Sequence, residues 1–240
     1  MRQRLDRLMV ERGLFESRER AQAAIMAGEV LVDGQKAAKP GQHVESDVAV
    51  EILNRQRYVS RGGLKLEAAL QAFGIDVNGK VCLDIGTSTG GFTDCLLQRG
   101  ALRVHAVDTG AGQIAWKLRN DPRVVLHENT NARYLKSEEI GELANLVVCD
   151  VSFISVTLIV PALPPVLAPS GEMIILIKPQ FEVGRGQVGT GGVVRDPALH
   201  EYARERVQQA VRELGFEAKI IPSPITGAEG NQEFLLHAAK

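Results

Sequence analysis

Cysteine and aromatic residues are scarce in this sequence. Its 240 residues include 3 cysteines, 1 tryptophan, 3 tyrosines and 7 phenylalanines. The cysteines form no C-x-x-C pair and stand among apolar residues, so neither a disulfide scaffold nor a zinc site is expected, and we predict no metal. This pattern favours reduced thiols in the core of a cytoplasmic protein.

Neither sign of charge dominates. The chain has 28 Lys+Arg against 29 Asp+Glu, a formal charge of −1, with 45% hydrophobic and 24% charged residues. These proportions exclude a disordered or collagen-like chain, and the length allows one large domain with a small appendage. Because strong nonspecific nucleic-acid binders usually carry a basic surplus, any contact with RNA must come from a local patch.

A clear membrane segment is also lacking. The N-terminus interleaves charges where a signal peptide would need an apolar stretch. Residues 151–171 carry no charge and approach the length of a spanning helix, but they contain four prolines, each of which removes a backbone donor. We therefore predict a short helix and loop packed against a sheet, and no membrane partner.

Residues 1–52 predict a small α+β domain. Apolar residues at helical spacing predict two short helices, with Ser17 placed to cap the second one. After Gly28, short apolar runs on both sides of an Asp33-Gly34 turn predict strands. Residues 53–60 have no clear period and are interpreted as a linker.

The segment LDRLMVERGLFESRERAQAAIMAGEVLVDGQ resembles the small RNA-binding domain named after ribosomal protein number four of the small subunit. In that family the second helix and the adjoining loop bind structured RNA. The two helices carry only a small positive excess, which fits a solvated face equally well. The resemblance implies an RNA-binding patch, which we assign to six arginines: Arg4, Arg18, Arg20, Arg55, Arg57 and Arg61.

Strand-like and helix-like stretches alternate from residue 61 to residue 240. The alternation predicts a doubly wound, Rossmann-like α/β domain with a mostly parallel sheet and a terminal antiparallel strand. A clear helix is predicted at 197–214, followed by strand-like runs at 216–221 and 233–237. The apolar runs that predict the parallel strands are 81–85, 102–107, 123–126, 146–149 and 173–177.

The first of these strands leads into a glycine-rich loop, DIGTSTGGF. Its spacing is G-x-x-x-G-G, whereas dinucleotide-binding loops use G-x-G-x-x-G, and this difference favours S-adenosylmethionine as the cofactor. Asp84 is expected near the cationic end of this cofactor. Asp108, at the end of the next strand, is placed to accept both ribose hydroxyls. Either aspartate taken alone equally fits a helix cap or a turn.

Two neighbouring predicted strands end in residues of opposite charge. LVVCD ends at Asp150, and MIILIK ends at Lys178. Chemistry in such sheets happens outside the carboxyl ends of the strands, although a structural ion pair is the alternative. Lys65 falls on the helix before the sheet and Glu233 begins the last strand. The order Lys65, Asp150, Lys178, Glu233 resembles the Lys-Asp-Lys-Glu tetrad of the ribose 2′-O-methyltransferases related to FtsJ.

With the RNA-binding domain, the whole chain resembles the TlyA family of ribosomal RNA methyltransferases, also labelled haemolysins. The motifs that carry this resemblance are SRGGLKL, TGGFTD, WKLRNDPRV, CDVSFIS, KPQFEVGRG and GGVVRDP. It implies methyl transfer to a ribose 2′-hydroxyl of ribosomal RNA, on a cytidine, with ribosomal RNA or ribosomal subunits as the partner. It also implies further cofactor contacts from Gly86, Ser88, Thr89, Gly90, Gly91, Asn129 and Asn131.

The tetrad allows two divisions of labour. A ribose hydroxyl must lose its proton as it attacks the methyl group, and a lysine that receives the proton must be uncharged; Lys178 is the candidate. Alternatively, a charged Lys178 stabilises the developing oxyanion while Lys65 positions the ribose. Glu233 is expected to hold Lys65 or the substrate hydroxyl. Trp116 is interpreted as a packed helix residue, with stacking on RNA as the alternative.

Two competing functions remain open. Enzymes that methylate base amino groups commonly place Asn/Asp-Pro-Pro-aromatic after the fourth strand, and Asp150-Val-Ser-Phe153 keeps the acid and the aromatic residue but lacks both prolines. A membrane-active haemolysin is the non-enzymatic alternative, against which the proline-interrupted segment argues.

Overall fold

The computed structural model describes residues 2–15, 17–53, 57–227 and 229–240, with the side chain of Arg185 left out. The chain divides into two compact units, Met1–Gln56 and Arg57–Lys240. Each unit has its own apolar core.

The first unit is a small α+β fold. The predicted cap is confirmed, because the Arg20 N–H donates to Ser17 Oγ at 3.3 Å. Asp33 and Gly34 both have positive φ, as a tight turn between two strands requires. One short strand was not predicted: β1 pairs with β4, while β2 lies between β3 and β5. The elements are β1 (Arg2–Arg4), α1 (Leu5–Glu11), α2 (Arg18–Met26), β2 (Val30–Val32), β3 (Gln35–Lys36), β4 (His43–Glu45) and β5 (Val50–Ile52).

The second unit contains a seven-stranded sheet with helices on its faces. Its helices are α3 (Gly62–Phe73), α4 (Gly91–Gln98), α5 (Trp116–Arg119), α6 (Ser137–Ile140), α7 (Pro179–Glu182) and α8 (Pro197–Arg212). Its strands are β6 (Val81–Ile85), β7 (Arg103–Val107), β8 (Val124–His127), β9 (Ala144–Cys149), β10 (Leu167–Ile177), β11 (Glu217–Pro222) and β12 (Phe234–Ala239).

The strand order is β11-β12-β10-β9-β6-β7-β8. Strands β10, β9, β6, β7 and β8 are parallel, and β12 runs antiparallel between β10 and β11. The predicted mostly parallel sheet with a terminal antiparallel strand is therefore confirmed; this strand is the last in the chain and lies one position from the edge of the sheet. Strand order reverses between β6 and β9, which is where such sheets form a ligand crevice.

The central strands are buried on both faces. Leu83, Val147 and Ile175 belong to one apolar cluster, whereas their neighbours Leu146 and Ile174 belong to the cluster on the opposite face. Successive side chains point to opposite faces of the sheet, and both faces are covered by apolar clusters. The sequence of these strands is therefore continuously apolar and does not alternate with polar residues.

The uncharged segment 151–171 packs against one face of the sheet. It forms three 3-10 turns, Val156–Leu158, Val160–Ala162 and Pro164–Val166, before β10 begins. Pro161, Pro164 and Pro165 occupy the first or second positions of two of these turns, where a missing N–H is tolerated, and Pro169 lies in β10. Across the described ranges, no helix is both long enough and apolar enough to cross a membrane.

Candidate active site

The glycine loop joins the end of β6 to the start of α4. Gly86 has a φ of +83°, and a Cβ atom there would collide with the main-chain oxygen of Asp150. Gly90 has a φ of +93°, and a Cβ atom there would collide with Leu118. Both positions therefore require glycine, and the loop lies directly against the residue that follows β9.

Asp84 lies beneath this loop with its side chain fully buried. Its Oδ2 accepts hydrogen bonds from the Thr93 N–H at 3.0 Å and from the Thr93 hydroxyl at 2.6 Å. Its Oδ1 is buried and has no hydrogen-bond partner among the described residues. Burial raises the pKa of Asp84 to about 7, and the nearby Asp150 and Asp108 charges add to the increase. An unpartnered buried oxygen of this kind fits a cationic or hydrogen-donating ligand group.

Asp108 fastens the glycine loop to the end of β7. Its Oδ2 accepts the Ser88 N–H and its Oδ1 accepts the Gly110 N–H, both at 2.7 Å. The side chains of Ser88 and Thr89 are exposed. Since each carboxylate oxygen has a second lone pair, Asp108 retains capacity for ligand hydroxyls.

The Asn129–Asn131 segment lies beside Asp108. The Thr130 N–H donates to the Asp108 main-chain oxygen at 2.9 Å, and Asn129 has a positive φ of 55°. Asn131 Oδ1 accepts the Arg133 N–H at 3.1 Å and caps a short 3-10 turn. Both asparagine side chains are exposed. The structure therefore brings the predicted adenine-side residues to the same edge as the glycine loop.

Asp150 and Lys178 form an ion pair at the carboxyl ends of β9 and β10. Lys178 Nζ lies 2.5 Å from Asp150 Oδ1, with the side chains 10% and 21% exposed. Lys178 Nζ also donates a hydrogen bond to Ser152 Oγ at 2.7 Å. Two adjacent parallel strands thus deliver opposite charges to one point beside the glycine loop.

Lys65 and Glu233 form a second, more deeply buried ion pair. The Lys65 Nζ to Glu233 Oε2 distance is 2.5 Å, and the side chains are 10% and 3% exposed. Lys65 lies on α3, and Glu233 immediately precedes β12. A Cβ atom on Gly227 would lie 2.7 Å from Glu233 Oε1, so this glycine leaves room for the carboxylate.

The helix that carries Lys65 begins close to the glycine loop. A Cβ atom on Gly91 would collide with Ser60 Oγ and would lie 3.1 Å from the Gly63 nitrogen. A Cβ atom on Gly62 would meet the Phe92 ring at 3.6 Å. The starts of α3 and α4 are therefore packed together, with the four tetrad residues on elements that converge on this edge.

Sequence reasoning missed three contributors to this arrangement. Thr93 supplies both donors to Asp84, and Ser152 contacts Lys178. Glu182 is buried and accepts the Ser155 hydroxyl at 2.6 Å and the Val156 N–H at 2.8 Å. Burial raises the pKa of Glu182. The signals were faint: Ser152 follows Asp150 by two residues, and Glu182 stands within the KPQFEVGRG motif.

The arginines proposed for RNA binding have different surroundings. Arg4 and Arg18 both contact the buried carboxylate of Asp6, with Nη2 to Oδ2 distances of 2.9 and 3.1 Å. The Arg4 guanidinium holds the pKa of Asp6 far below its ordinary range. Arg57 pairs with Glu67.

Arg20 and Arg61 have exposed side chains, whereas Arg55 lies outside the described residues.

Trp116 is 75% exposed, so the expectation of a packed helix residue is wrong. The physical reason is local: Leu118 on the helix and Ile114, two residues before it, are buried and pack against Gly90. The Ala115 N–H donates to the Thr89 carbonyl at 3.1 Å. The exposed indole therefore stands one residue from an anchor on the glycine loop.

Comparisons with known proteins agree with this geometry. Residues 58–240 match the FtsJ-like methyltransferase family, and residues 3–50 match the S4 domain. The chain is 48% identical over 238 residues to the 16S/23S rRNA (cytidine-2′-O)-methyltransferase TlyA of Mycobacterium tuberculosis (strain ATCC 25618 / H37Rv), covering 98% of this chain and 89% of that protein. It is 45% identical over 236 residues to Hemolysin A of Brachyspira hyodysenteriae, covering 98% of both.

Among solved structures, the chain is similar to a protein described as a candidate hemolysin from Streptococcus thermophilus. The TM-score is 0.76 at 45% identity, covering 100% of this chain and 88% of that one. An S-adenosylmethionine-dependent methyltransferase candidate from Listeria monocytogenes has a TM-score of 0.55 at 18% identity, over 75% and 99% of the two chains, and shares the fold. Since the family match spans the whole second unit, the chain belongs to the FtsJ-like methyltransferase family.

Proposed function

We propose that this protein transfers a methyl group from S-adenosylmethionine to the 2′-hydroxyl of a cytidine ribose in ribosomal RNA. The observation that carries the proposal is the Asp150–Lys178 pair, held at adjacent strand ends against the glycine loop. Ribose methylation needs a group that accepts the proton of the hydroxyl or stabilises the oxyanion that forms. The lysine of this pair is such a group. The Mycobacterium tuberculosis relative, a 16S/23S rRNA (cytidine-2′-O)-methyltransferase by name, supports the cytidine ribose of ribosomal RNA as the target.

The cofactor site follows from the same edge. S-adenosylmethionine, when bound, supplies the methyl group, whose bond to sulfur breaks as the new bond to oxygen forms. Asp84 Oδ1 would face the cationic end, and the Asp108 carboxylate would accept the ribose hydroxyls. The exposed Asn129 and Asn131 side chains would border the adenine. The remaining contacts to the methionine part would come from the loop residues Gly86, Ser88, Thr89, Gly90 and Gly91.

The four tetrad residues divide into a pair that accepts the proton and a pair that positions the ribose. Lys178 loses the proton of its ion-paired form before this step; its uncharged Nζ then receives the proton of the attacking hydroxyl, and Asp150 stabilises the ammonium that forms. Lys65, neutralised by Glu233, positions the ribose. The exposed arginines of the first unit and Arg61 bind phosphates of the RNA.

Methyl transfer from labelled S-adenosylmethionine to purified, unmodified ribosomal subunits tests this proposal. The wild-type protein is compared with Lys178→Ala and Asp150→Ala, and the labelled position is mapped on the RNA. Lys219→Ala is the matched control, because Lys219 is an exposed lysine of the edge strand β11. We expect label at a ribose 2′-oxygen, lost in both site variants and kept in the control.

Other outcomes identify the competing functions. Label on a base would overturn the proposal in favour of amino-group methylation at Asp150-Val-Ser-Phe153. No transfer to either subunit, with cofactor binding measured in the same sample, would also overturn it. Release of dye from vesicles by the protein without cofactor would favour a membrane activity.

A further inference from the structure

Ser152 is the neighbour of Lys178 that the proposed tetrad does not use. Its Oγ accepts a hydrogen bond from Lys178 Nζ at 2.7 Å. We propose that Ser152 is a positioning residue, which sets the direction in which Lys178 faces the ribose hydroxyl. This inference rests on the proposed function and adds a residue to it.

Asp150 and Ser152 contact the same nitrogen in different ways. Asp150 Oδ1 lies 2.5 Å from Lys178 Nζ and supplies the opposite charge, but it has no partner that meets hydrogen-bond geometry among the described residues. Among the described residues, Ser152 Oγ is the atom that accepts a hydrogen bond from Lys178 Nζ. Charge therefore comes from Asp150 and direction comes from Ser152, because hydrogen bonds depend on angle more strongly than ion pairs do.

The tetrahedral nitrogen of Lys178 makes that direction matter. One of its four positions is occupied by its own carbon, one N–H points to Ser152, and Asp150 lies on a further side. Fixing the N–H that points to Ser152 fixes where the other positions point, and the proposed step uses one of them for the substrate. In an uncharged amine this position holds the lone pair that takes the proton, and in an ammonium it holds an N–H for the oxyanion. Ser152 aims Lys178 correctly in both divisions of labour.

The hydroxyl of Ser152 keeps its own proton free. Its side chain is exposed, and no acceptor for its O–H is present among the described residues. Ser155 in the same loop differs, because its hydroxyl already bonds to Glu182 at 2.6 Å. Ser152 is thus the serine of this loop that is available to the reaction.

The backbone on both sides of Ser152 is fixed. The Asp150 N–H donates to the Ile85 carbonyl at 2.9 Å, and the Val156 N–H donates to the buried Glu182 at 2.8 Å. Phe153 has a positive φ of 65°, and its ring centroid lies 5.5 Å from that of Phe181. A loop fixed in this way holds the Ser152 oxygen in place, as an orienting group requires.

The step itself balances without any added reagent. The O–H bond of the ribose breaks, its proton passes to the nitrogen of uncharged Lys178, and its electron pair forms the new bond to the methyl carbon. The bond between that carbon and sulfur breaks, and its electron pair stays on sulfur. Ser152 neither gains nor loses a proton, so its role is positioning and not acid–base transfer.

Kinetics of Ser152→Ala and Ser152→Thr test this role on the full-length protein. With unmodified ribosomal RNA substrate, we expect Ser152→Ala to lower kcat about tenfold to a hundredfold, the loss typical of a hydrogen bond to a charged group. KM for the RNA, the Kd for S-adenosylmethionine by calorimetry and the unfolding midpoint should stay unchanged. Ser152→Thr keeps the hydroxyl and should restore most of kcat.

Ser155→Ala is the control within the same loop. It removes a hydrogen bond to Glu182 without touching Lys178, so we expect a lower unfolding midpoint and a kcat within about threefold of wild type. Equal loss of kcat in Ser152→Ala and Ser155→Ala would overturn the inference, since general loop stability would then explain both. An unchanged kcat in Ser152→Ala, or no rescue by threonine, would also overturn it.

Failure of this inference is separable from failure of the proposed function. If the wild type labels a ribose oxygen and Ser152→Ala does so at the same rate, only the role of Ser152 is wrong. If the wild type labels a base or nothing, the proposed function is wrong whatever Ser152 does.

Discussion

The ammonium nitrogen of Lys65 lies 2.5 Å from a carboxylate oxygen of Glu233, although 168 positions separate the two residues in the sequence. Both side chains are almost completely buried. Removing one member of such a pair leaves an uncompensated buried charge, whereas replacing both with apolar groups of similar size is often neutral for folding. The pair therefore allows stability and catalysis to be separated.

We predict that Lys65→Met and Glu233→Leu each lower the free energy of unfolding by about 3 to 5 kcal/mol. The double variant should recover most of that stability, because neither charge is then left unpaired. Methyl transfer should be lost in all three, because the proposed positioning of the ribose needs both Lys65 and the carboxylate that holds it. Urea unfolding and single-turnover rates measure the two properties.

A double variant that is stable and fully active would contradict the assigned role of Lys65 and would leave the pair as a purely structural contact. Arg7→Met with Glu11→Leu is the control. That pair is exposed, with an Arg7 Nε to Glu11 Oε1 distance of 2.8 Å, so both properties should change little.

We predict that Asp84 makes binding of S-adenosylmethionine depend on pH. Its pKa is raised to about 7 by burial, so the carboxyl group is mostly protonated at pH 5.5 and is largely ionised above pH 7. Because the cationic end of the cofactor favours the ionised form, we predict that affinity increases from about pH 5.5 to about pH 7. Calorimetry at several pH values measures this, and Asp84→Asn should flatten the profile. Equal slopes in the two proteins would contradict the assignment.

The same residue affects folding in the opposite direction. The folded protein binds the Asp84 proton more tightly than the unfolded chain does, because the ordinary pKa of the group is 3.8. Without cofactor, the contribution of Asp84 to stability should therefore fall as pH rises from about 4 to about 7. Asp84→Asn should lack this decrease. Urea unfolding of both proteins across that range checks the sign.

Much of the site could be predicted because strands and glycines leave local signals. Continuous apolar runs located the strand ends, and these ends placed Asp150 and Lys178 at one edge. The glycine spacing located the loop above Asp84. These features depend on residues close together in the sequence, which is why pattern alone was sufficient.

The contacts that were missed depend on the folded arrangement. The sequence left two partners open for Glu233, either Lys65 or the substrate hydroxyl, and no local period could choose the ion pair with Lys65 that the fold forms. Helix α5 has four residues, too few for a helical period to show which side of Trp116 is buried. The hydrogen bond from Lys178 to Ser152 depends on the loop after β9 turning back, which the sequence does not indicate.

Asp6 organises two of the arginines proposed to bind RNA. Arg4 and Arg18 share its buried carboxylate and keep side chains 44% and 51% exposed, so two positive charges surround one negative charge. We predict that Arg18→Ala weakens RNA binding and reduces the slope of log affinity against log salt by about one. Arg4 and Gln22 still contact Asp6 in this variant, so the unit should stay folded.

Arg7→Ala is the control for this experiment. Arg7 lies on the neighbouring helix, and its charge is already paired with Glu11, so the salt slope should not change. Filter binding at four or more salt concentrations gives the slopes. An Arg18→Ala slope equal to that of wild type would place the RNA contact elsewhere.

Trp116 offers an aromatic surface at the carboxyl edge of the sheet. The indole is 75% exposed, and its backbone neighbour Ala115 is anchored on Thr89 of the glycine loop. Stacking of one base on an aromatic side chain contributes about 1 to 3 kcal/mol, so Trp116→Ala should raise the Kd for RNA roughly fivefold to 150-fold. Trp116→Phe should retain part of this affinity because a smaller ring still stacks.

Tyr202→Ala, which removes a half-exposed aromatic residue of α8, is the control and should leave the Kd unchanged. Since Ile114 and Leu118 supply the buried contacts around α5, thermal unfolding should be the same in the wild type and in both Trp116 variants. A Trp116→Ala protein that binds RNA as wild type does would show that this exposed indole has no part in recognition.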